Sequence, residues 1–193
     1  MKVGLYFGTF NPIHVGHLII ANFIIEHSDL DELWMVVSPH NPLKKKKTLL
    51  EDHHRLELVF RATEPYDRIK VSDIEFKLNQ PSYTVDTLVH LGERFPGYEF
   101  SLLMGQDSLR SLPKWKNYEV LLEDYKIICY PRVDGESKKT PFDEHENVTL
   151  LKAPIVELSA TMIRNDIKEG KNARAYLPPG AWEYLDEMNF YKN

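Results

Sequence analysis

Val3-Gly4-Leu5-Tyr6-Phe7-Gly8-Thr9-Phe10-Asn11-Pro12-Ile13-His14-Val15-Gly16-His17-Leu18-Ile19-Ile20-Ala21-Asn22-Phe23-Ile24-Ile25 is the stretch whose reading decides the fold. Val3 to Phe7 is a short apolar run with the length of a buried strand. Leu18 to Ile25 is too long for a strand and reads as a core helix. Strand, glycine turn and helix start in succession form the layout of an anion site, because free N–H groups and the positive end of the helix dipole face outward there. His14 and His17 stand at that helix start, and Gly16 between them leaves room for a ligand to approach the backbone. A Walker loop would continue into Gly-Lys-Ser/Thr and a dinucleotide fingerprint would read Gly-x-Gly-x-x-Gly; the stretch does neither. Two plainer readings of the histidines stay open at this point. They are residues on a helix surface, or half of a zinc site whose other ligands must lie elsewhere, with Cys129 the only cysteine on offer.

Working outward, 193 residues suit one domain, or one domain with a small subdomain, and are enough for a full core. A composition of 42% hydrophobic and 27% charged residues is that of an ordinary globular protein. The net charge of −5 argues against a nucleic-acid partner, while leaving space for a local basic pocket. A single cysteine excludes a disulfide framework and fits a reducing compartment. Met1-Lys2-Val3-Gly4 enters a strand at once, so no signal peptide is expected, and the apolar run from Leu18 stops at Glu26, short of a membrane span. A cytoplasmic protein without membrane partners is the expectation, and the oligomeric state is left open.

Strand-like and helical runs alternate, the pattern of an α/β fold with a mostly parallel sheet and helices on both faces. Strands are expected at Glu32–Ser38, Ile69–Ser72, Ile74–Phe76, Tyr98–Met104, Tyr125–Tyr130 and Val148–Leu151. Helices are expected over Glu51–Thr63, with Leu56, Val59, Phe60 and Thr63 as the repeating face, and from Pro81-Ser82-Tyr83-Thr84 onward, with Val85, Leu88 and Val89 buried. Pro131 to Asn147 turns polar and reads as a mobile loop. Two further helices, Thr161–Lys168 and Gly180–Asn189, give a small C-terminal helical part from about residue 159 of a single 1–193 domain. In an open parallel sheet, ligands bind at strand-end loops where the strand order reverses.

Three more segments carry chemistry. Leu158-Ser159-Ala160-Thr161-Met162-Ile163-Arg164 places hydroxyl residues before a helical run, either as simple caps or as a second anion-facing helix start, with Arg164 offering a planar fork to the same anion. Met104-Gly105-Gln106-Asp107 follows a strand; Gly105 permits close backbone approach, and Asp107 can accept from ribose hydroxyls or help to hold a metal. Trp115, in Leu112-Pro113-Lys114-Trp115, is a flat surface for an aromatic ring or a packing residue. Lys44 to Lys47 is on its face a solvated charge patch.

Together these segments resemble a known family. His14-Val15-Gly16-His17 after Gly8-Thr9-Phe10 is similar to the His-x-Gly-His signature of the nucleotidyltransferase α/β-phosphodiesterase superfamily. Ser159, Thr161 and Arg164 match the Ser-Ser-Thr-x-x-Arg element of its adenylyltransferase branch. Pro81-Ser82-Tyr83-Thr84-Val85-Asp86-Thr87 and the run from Gly105 to Trp115 resemble bacterial nicotinate-nucleotide adenylyltransferases. Three positions depart from the pattern: Asn11 for an aspartate, Leu43 for the histidine of a Pro-His-Lys element, and Ala160 for the second serine. Arg55 matches a His-Arg pair and is read as structural.

The resemblance implies a Rossmann-like fold and the transfer of AMP from ATP to nicotinate mononucleotide. It implies His14, His17, Lys44 and Arg164 on the phosphates, and Gly8, Thr9, Phe10, Gly16, Gly105, Asp107, Ser159 and Thr161 around ATP. Tyr83, Thr84 and Trp115 receive the nicotinate, and Mg²⁺ travels with the ATP rather than in a protein cage. Pantetheine-phosphate adenylyltransferase shares the first motif but should lack the Tyr83-Thr84 and Trp115 elements. An aminoacyl-tRNA synthetase would need a tRNA-binding body. A nucleotide sensor without chemistry is the alternative outside enzymes, and pyrophosphate release separates it from a transferase.

Overall fold

Among the residues that the computed structural model describes, 1–39, 49–131 and 139–192, strands and helices alternate in an α/β order. The strands are β1 (Lys2–Gly8), β2 (Glu32–Val37), β3 (Ile69–Ser72), β4 (Glu99–Gly105), β5 (Lys126–Tyr130) and β6 (Val148–Leu150). They form one sheet in the order β3-β2-β1-β4-β5-β6. Every pairing between neighbours is parallel, with Tyr6 opposite Met35 on one side and Leu103 on the other. The chain winds outward from β1 to β3, then returns to place β4 on the free side of β1. This is a Rossmann-like fold, and its order reverses between β1 and β4.

Helices α1 (Val15–Glu26), α2 (Asp52–Thr63), α6 (Ala160–Lys168) and α7 (Pro179–Glu187) cover one face. Helices α3 (Thr84–Arg94), α4 (Gln106–Ser111) and α5 (Tyr118–Asp124) cover the other. Strand alternation divides the side chains between them: Tyr6, Met35 and Leu103 face the first core, while Leu5, Val36 and Leu102 face the second. Both faces are dry, which is why the strands read as continuous apolar runs rather than alternating ones. The C-terminal helices share the first core with α1 and α2, since Ile163, Ile167, Ala181 and Leu185 are buried among Leu58, Val59 and Ile24.

Several expectations are corrected. Ile74–Lys77 is a turn of 3-10 helix instead of a strand, because Phe76 N–H closes back on the Asp73 carbonyl at 2.9 Å. Val89 is 49% exposed; α3 buries Val85, Leu88 and Leu91, positions three apart on one face. In α2 the buried face is Arg55, Leu58, Val59, Ala62 and Thr63, and Phe60 points outward at 50% exposure. Short α4 and α5, after β4, carried no clear periodic signal. Of the polar stretch read as a mobile loop, Pro131 to Asn147, residues 132–138 lie outside the described residues, as do Leu43 to Lys47 within 40–48. The rest of the stretch is described and forms turns, in which Thr140 N–H donates to Asp143 Oδ2 at 3.1 Å.

Helix α7 approaches α2 so closely at Gly180 that an added Cβ would sit 2.9 Å from the Arg61 carbonyl oxygen and 3.3 Å from Arg61 Cβ. Helix propensity alone favours alanine there, by up to about 1 kcal/mol. The obstruction is backbone, which cannot rotate away, so overpacking at roughly 1–3 kcal/mol should win. Gly180→Ala is therefore expected to lower the urea midpoint with an unchanged slope, and a midpoint at or above wild type would show that α7 can shift freely.

Candidate active site

Where the sheet order reverses, the loops after β1 and β4 open a cavity of about 930 Å³, within the range of small-molecule sites. The β1–α1 turn forms one wall. Phe10 has left-handed backbone (φ 43°) and a buried ring, and a side chain at Gly8 would meet that ring at 2.8 Å. Gly8 is thus required by the fold-back of Phe10. The Asn11–Pro12 peptide is cis. The chain then enters α1 with His14 as its first half-helical residue.

His14 and His17 stack, with ring centroids 3.7 Å apart and planes inclined by 27°. The His14 backbone N–H donates to His17 Nδ1 at 3.2 Å, which leaves Nε2 as the N–H donor of a neutral His17 ring. Edge contacts from Phe10 and Tyr6 hold that ring in place. Gly16 is not among the residues that line the cavity. The space its absent side chain leaves is filled by the His14 ring and Val156, both at 3.0–3.1 Å from a Cβ there, so its smallness seats the His14 ring.

The start of α6 closes the wall. Ser159 caps the helix by accepting from Met162 N–H at 3.2 Å, so the capping reading holds. Arg164 reaches back to the β1–α1 turn, donating to the Asn11 carbonyl at 2.7 Å and to Thr161 Oγ1 at 3.2 Å. Below the turn lies Arg55, fully buried on α2. It donates to the carbonyls of Thr9 (2.8 Å), Ser38 (2.8 Å) and Leu50 (3.0 Å) and pairs with Asp52. Burial lowers its pKa, and Asp52 opposes that shift. Its role is structural: it ties the ends of β1 and β2 to α2.

The far end of the cavity is built by the start of α3 and the segment after α4. Tyr83 occupies the cap position of α3 and supplies no side-chain cap, and it lines the cavity together with Thr84. Trp115 is half-buried, leaning on the second core while lining the cavity. Lys116 pairs with Asp86 at 2.8 Å and lies 4.8 Å from the centre of the Tyr83 ring, joining the Trp115 segment to α3.

The cavity lining unites Gly8, Thr9, Phe10, His14, His17, Tyr83, Thr84, Gly105, Asp107, Trp115, Ser159, Thr161 and Arg164. Lys44 lies outside the described residues. Gly105 has ordinary dihedrals (φ −76°), so its glycine is not demanded by the backbone. Sequence reasoning missed Lys116, Tyr191 and Glu75. Glu75 was hidden by the strand reading of its segment, although an acidic residue between Ile74 and Phe76 signals a special environment.

Glu75 is 3% exposed and lines the cavity beside Ser82, Tyr83 and Thr84. Burial raises its pKa, against hydroxyls of Ser38, Thr87 and Ser82 that favour the anion. Thr87 Oγ1 lies 2.8 Å from Glu75 Oε1 and 3.2 Å from the Tyr83 carbonyl, yet carries one proton. The Thr87 N–H also donates to that carbonyl, at 3.1 Å, so the hydroxyl proton is available to Glu75. A carboxyl with a raised folded pKa contributes stability present below its unfolded pKa and lost as pH rises through the folded value. Melting temperatures of Glu75→Gln and wild type should therefore converge near about pH 4 and separate in favour of the variant toward about pH 9. A difference that shrinks with pH would mean that Glu75 is held ionised.

Residues 5–166 match the family described as cytidylyltransferase-like, so fold and sequence together define a nucleotidyltransferase. A protein of Flavobacterium johnsoniae named "Probable nicotinate-nucleotide adenylyltransferase" is 62% identical over all of both chains, and one of Cytophaga hutchinsonii with the same name is 46% identical, again over the full lengths. The chain belongs to the nicotinate-nucleotide adenylyltransferase family. Among solved structures, the nicotinic acid mononucleotide adenylyltransferase of Plasmodium falciparum complexed with NaAD superposes with a TM-score of 0.83 at 20% identity, covering 98% of this chain and 97% of that one. The same Plasmodium protein complexed with APC gives 0.81. At that identity the likeness supports the fold.

Proposed function

We propose that this chain transfers the adenylyl group of ATP to nicotinate mononucleotide, yielding nicotinate adenine dinucleotide and pyrophosphate for NAD biosynthesis. One observation carries the reading beyond family membership. A single cavity joins a two-histidine, arginine-flanked turn to an uncapped helix start beside an aromatic wall. That is one polyphosphate end and one end for a flat, negatively charged ring.

In this reading a phosphate oxygen of the mononucleotide attacks the α-phosphorus of ATP. A new P–O bond forms, the bond to the bridging oxygen breaks, and its electron pair leaves with pyrophosphate. No protein nucleophile takes part, so the residues act by positioning and charge neutralisation. His14, His17 and Arg164, which line the cavity, are assigned to the phosphates, and Lys44, outside the described residues, carries the same assignment from the sequence resemblance alone. The Gly8–Phe10 backbone and the α6 start, with Ser159 and Thr161, complete the ATP side. Gly105 and Asp107 serve the ribose. Trp115 stacks the pyridine ring, and Tyr83 and Thr84 present N–H groups to its carboxylate.

Mg²⁺ enters as part of the Mg²⁺-ATP substrate and offsets phosphate charge. Among the described residues, the group of metal-ligand side chains that clusters, Glu51, His53 and His54, is off the cavity wall. Asp107 is the exposed carboxylate on that wall and fits an outer contact to a hydrated ion. One nucleotidyltransferase domain over 1–193 is supported by the core that α6 and α7 share with α1 and α2. A cytoplasmic setting belongs to the same proposal, in keeping with Cys129, whose buried free thiol is pushed up to about 12.

His17→Ala should lower turnover roughly 10²–10³-fold, the effect of removing one preorganised donor, with the melting temperature little changed. A folded variant of near wild-type rate would remove His17 from the phosphates. The decisive assay compares pyrophosphate release with nicotinate and nicotinamide mononucleotides under identical Mg²⁺-ATP. A carboxylate at the α3 start gains a dipole contribution of about 0.3–2 kcal/mol and charge-assisted N–H bonds, whereas a carboxamide sets its NH₂ against the same donors. Together these predict kcat/KM about two orders of magnitude higher for the acid. Equal values would dismiss the carboxylate site, and no release with either would dismiss the reaction.

A further inference from the structure

The C-terminal tail reaches the nucleotide turn from the far end of the chain. Helix α7 ends at Glu187, and Asn189 (φ 54°) and Tyr191 (φ 61°) beyond it both take left-handed backbone. Asparagine tolerates that region, but a bulky residue such as tyrosine persists there only where its surroundings hold it. Two contacts do so. The Tyr191 ring packs on the first core, and its hydroxyl donates to Asn11 Oδ1 at 2.6 Å. Burial raises the phenol's pKa against the opposing pull of Arg164 and Arg55, so the group stays a donor.

Asn11 is the node of this contact. It is 5% exposed, its Oδ1 also accepts from Leu50 N–H at 3.1 Å, and its carbonyl accepts from Arg164 at 2.7 Å. Two donors on one oxygen fix the amide's orientation. Its neighbours in the turn are Phe10, in left-handed backbone, and Thr9, whose carbonyl Arg55 holds. The turn is therefore clamped by donors from α2, from α6 and from the tail.

We propose that Tyr191 is a positioning residue, whose hydroxyl acts through Asn11 to hold residues 8–11 in the geometry that the ATP phosphates require. This rests on the ATP-side assignment of the proposed function. The hydroxyl itself is not on the cavity wall; Asn11, which accepts from it, is.

Tyr191→Phe removes the hydroxyl and keeps the ring. Lys192→Ala removes a neighbouring tail contact, the 2.7 Å pair with Asp186, and leaves Asn11 untouched. Calorimetric titrations of the full-length variants with Mg²⁺-ATP and, separately, with nicotinate mononucleotide test the proposal, with melting temperatures measured alongside. Tyr191→Phe is expected to weaken ATP roughly three- to tenfold, the equivalent of one lost hydrogen bond, and to hold the mononucleotide within about twofold. Lys192→Ala should bind both as wild type does. Unchanged ATP affinity in Tyr191→Phe, or equal weakening of both ligands in step with a lowered melting temperature, overturns the proposal. A wild-type chain that binds ATP but releases no pyrophosphate overturns the reaction alone, while one that binds no ATP overturns both.

Discussion

A buried guanidinium organises this site. Arg55 is removed from water inside α2 and gives its N–H groups to the carbonyls of Thr9, Ser38 and Leu50, with Asp52 as counter-ion. Desolvating such a charge costs several kcal/mol, which fixed carbonyl dipoles and a carboxylate must offset. What the arrangement gains is shape. Carbonyls at the ends of β1 and β2 would otherwise be orphaned where the strands stop, and one planar fork satisfies them together. The β1–α1 turn, and everything that lines the cavity from it, stands on that base.

Above the base, the two ends of the cavity differ in electrostatic character although the chain carries a net charge of −5. The β1–α1 end concentrates two histidines and Arg164. The α3 end offers backbone N–H groups, while Lys116 is partly neutralised by Asp86. Glu75 lines the cavity beside the α3 start, buried and acidic. Burial raises its pKa, against hydroxyls of Ser38, Thr87 and Ser82 that favour the anion.

The sequence by itself determined the architecture and the two motif segments that face each other. Parallel strands buried on both faces must be apolar throughout, so β1, β2, β4 and β5 announced themselves. The glycine turn into α1 and the Pro-Ser-Tyr-Thr start of α3 are local features, set by neighbours in sequence, and were legible for that reason. Tertiary structure decided what depends on distant partners. Gly16 makes room for His14 because Val156 closes the other side, Phe60 is outward because α7 packs against a different face of α2, and Ile74–Lys77 coils because Glu75 must meet Thr87. Tyr191 and Asn11 lie 180 positions apart, and no periodicity or spacing links such residues. Local sequence carries propensity and pattern, whereas a contact of that separation exists only once the fold has brought the tail beyond α7 to the turn after β1.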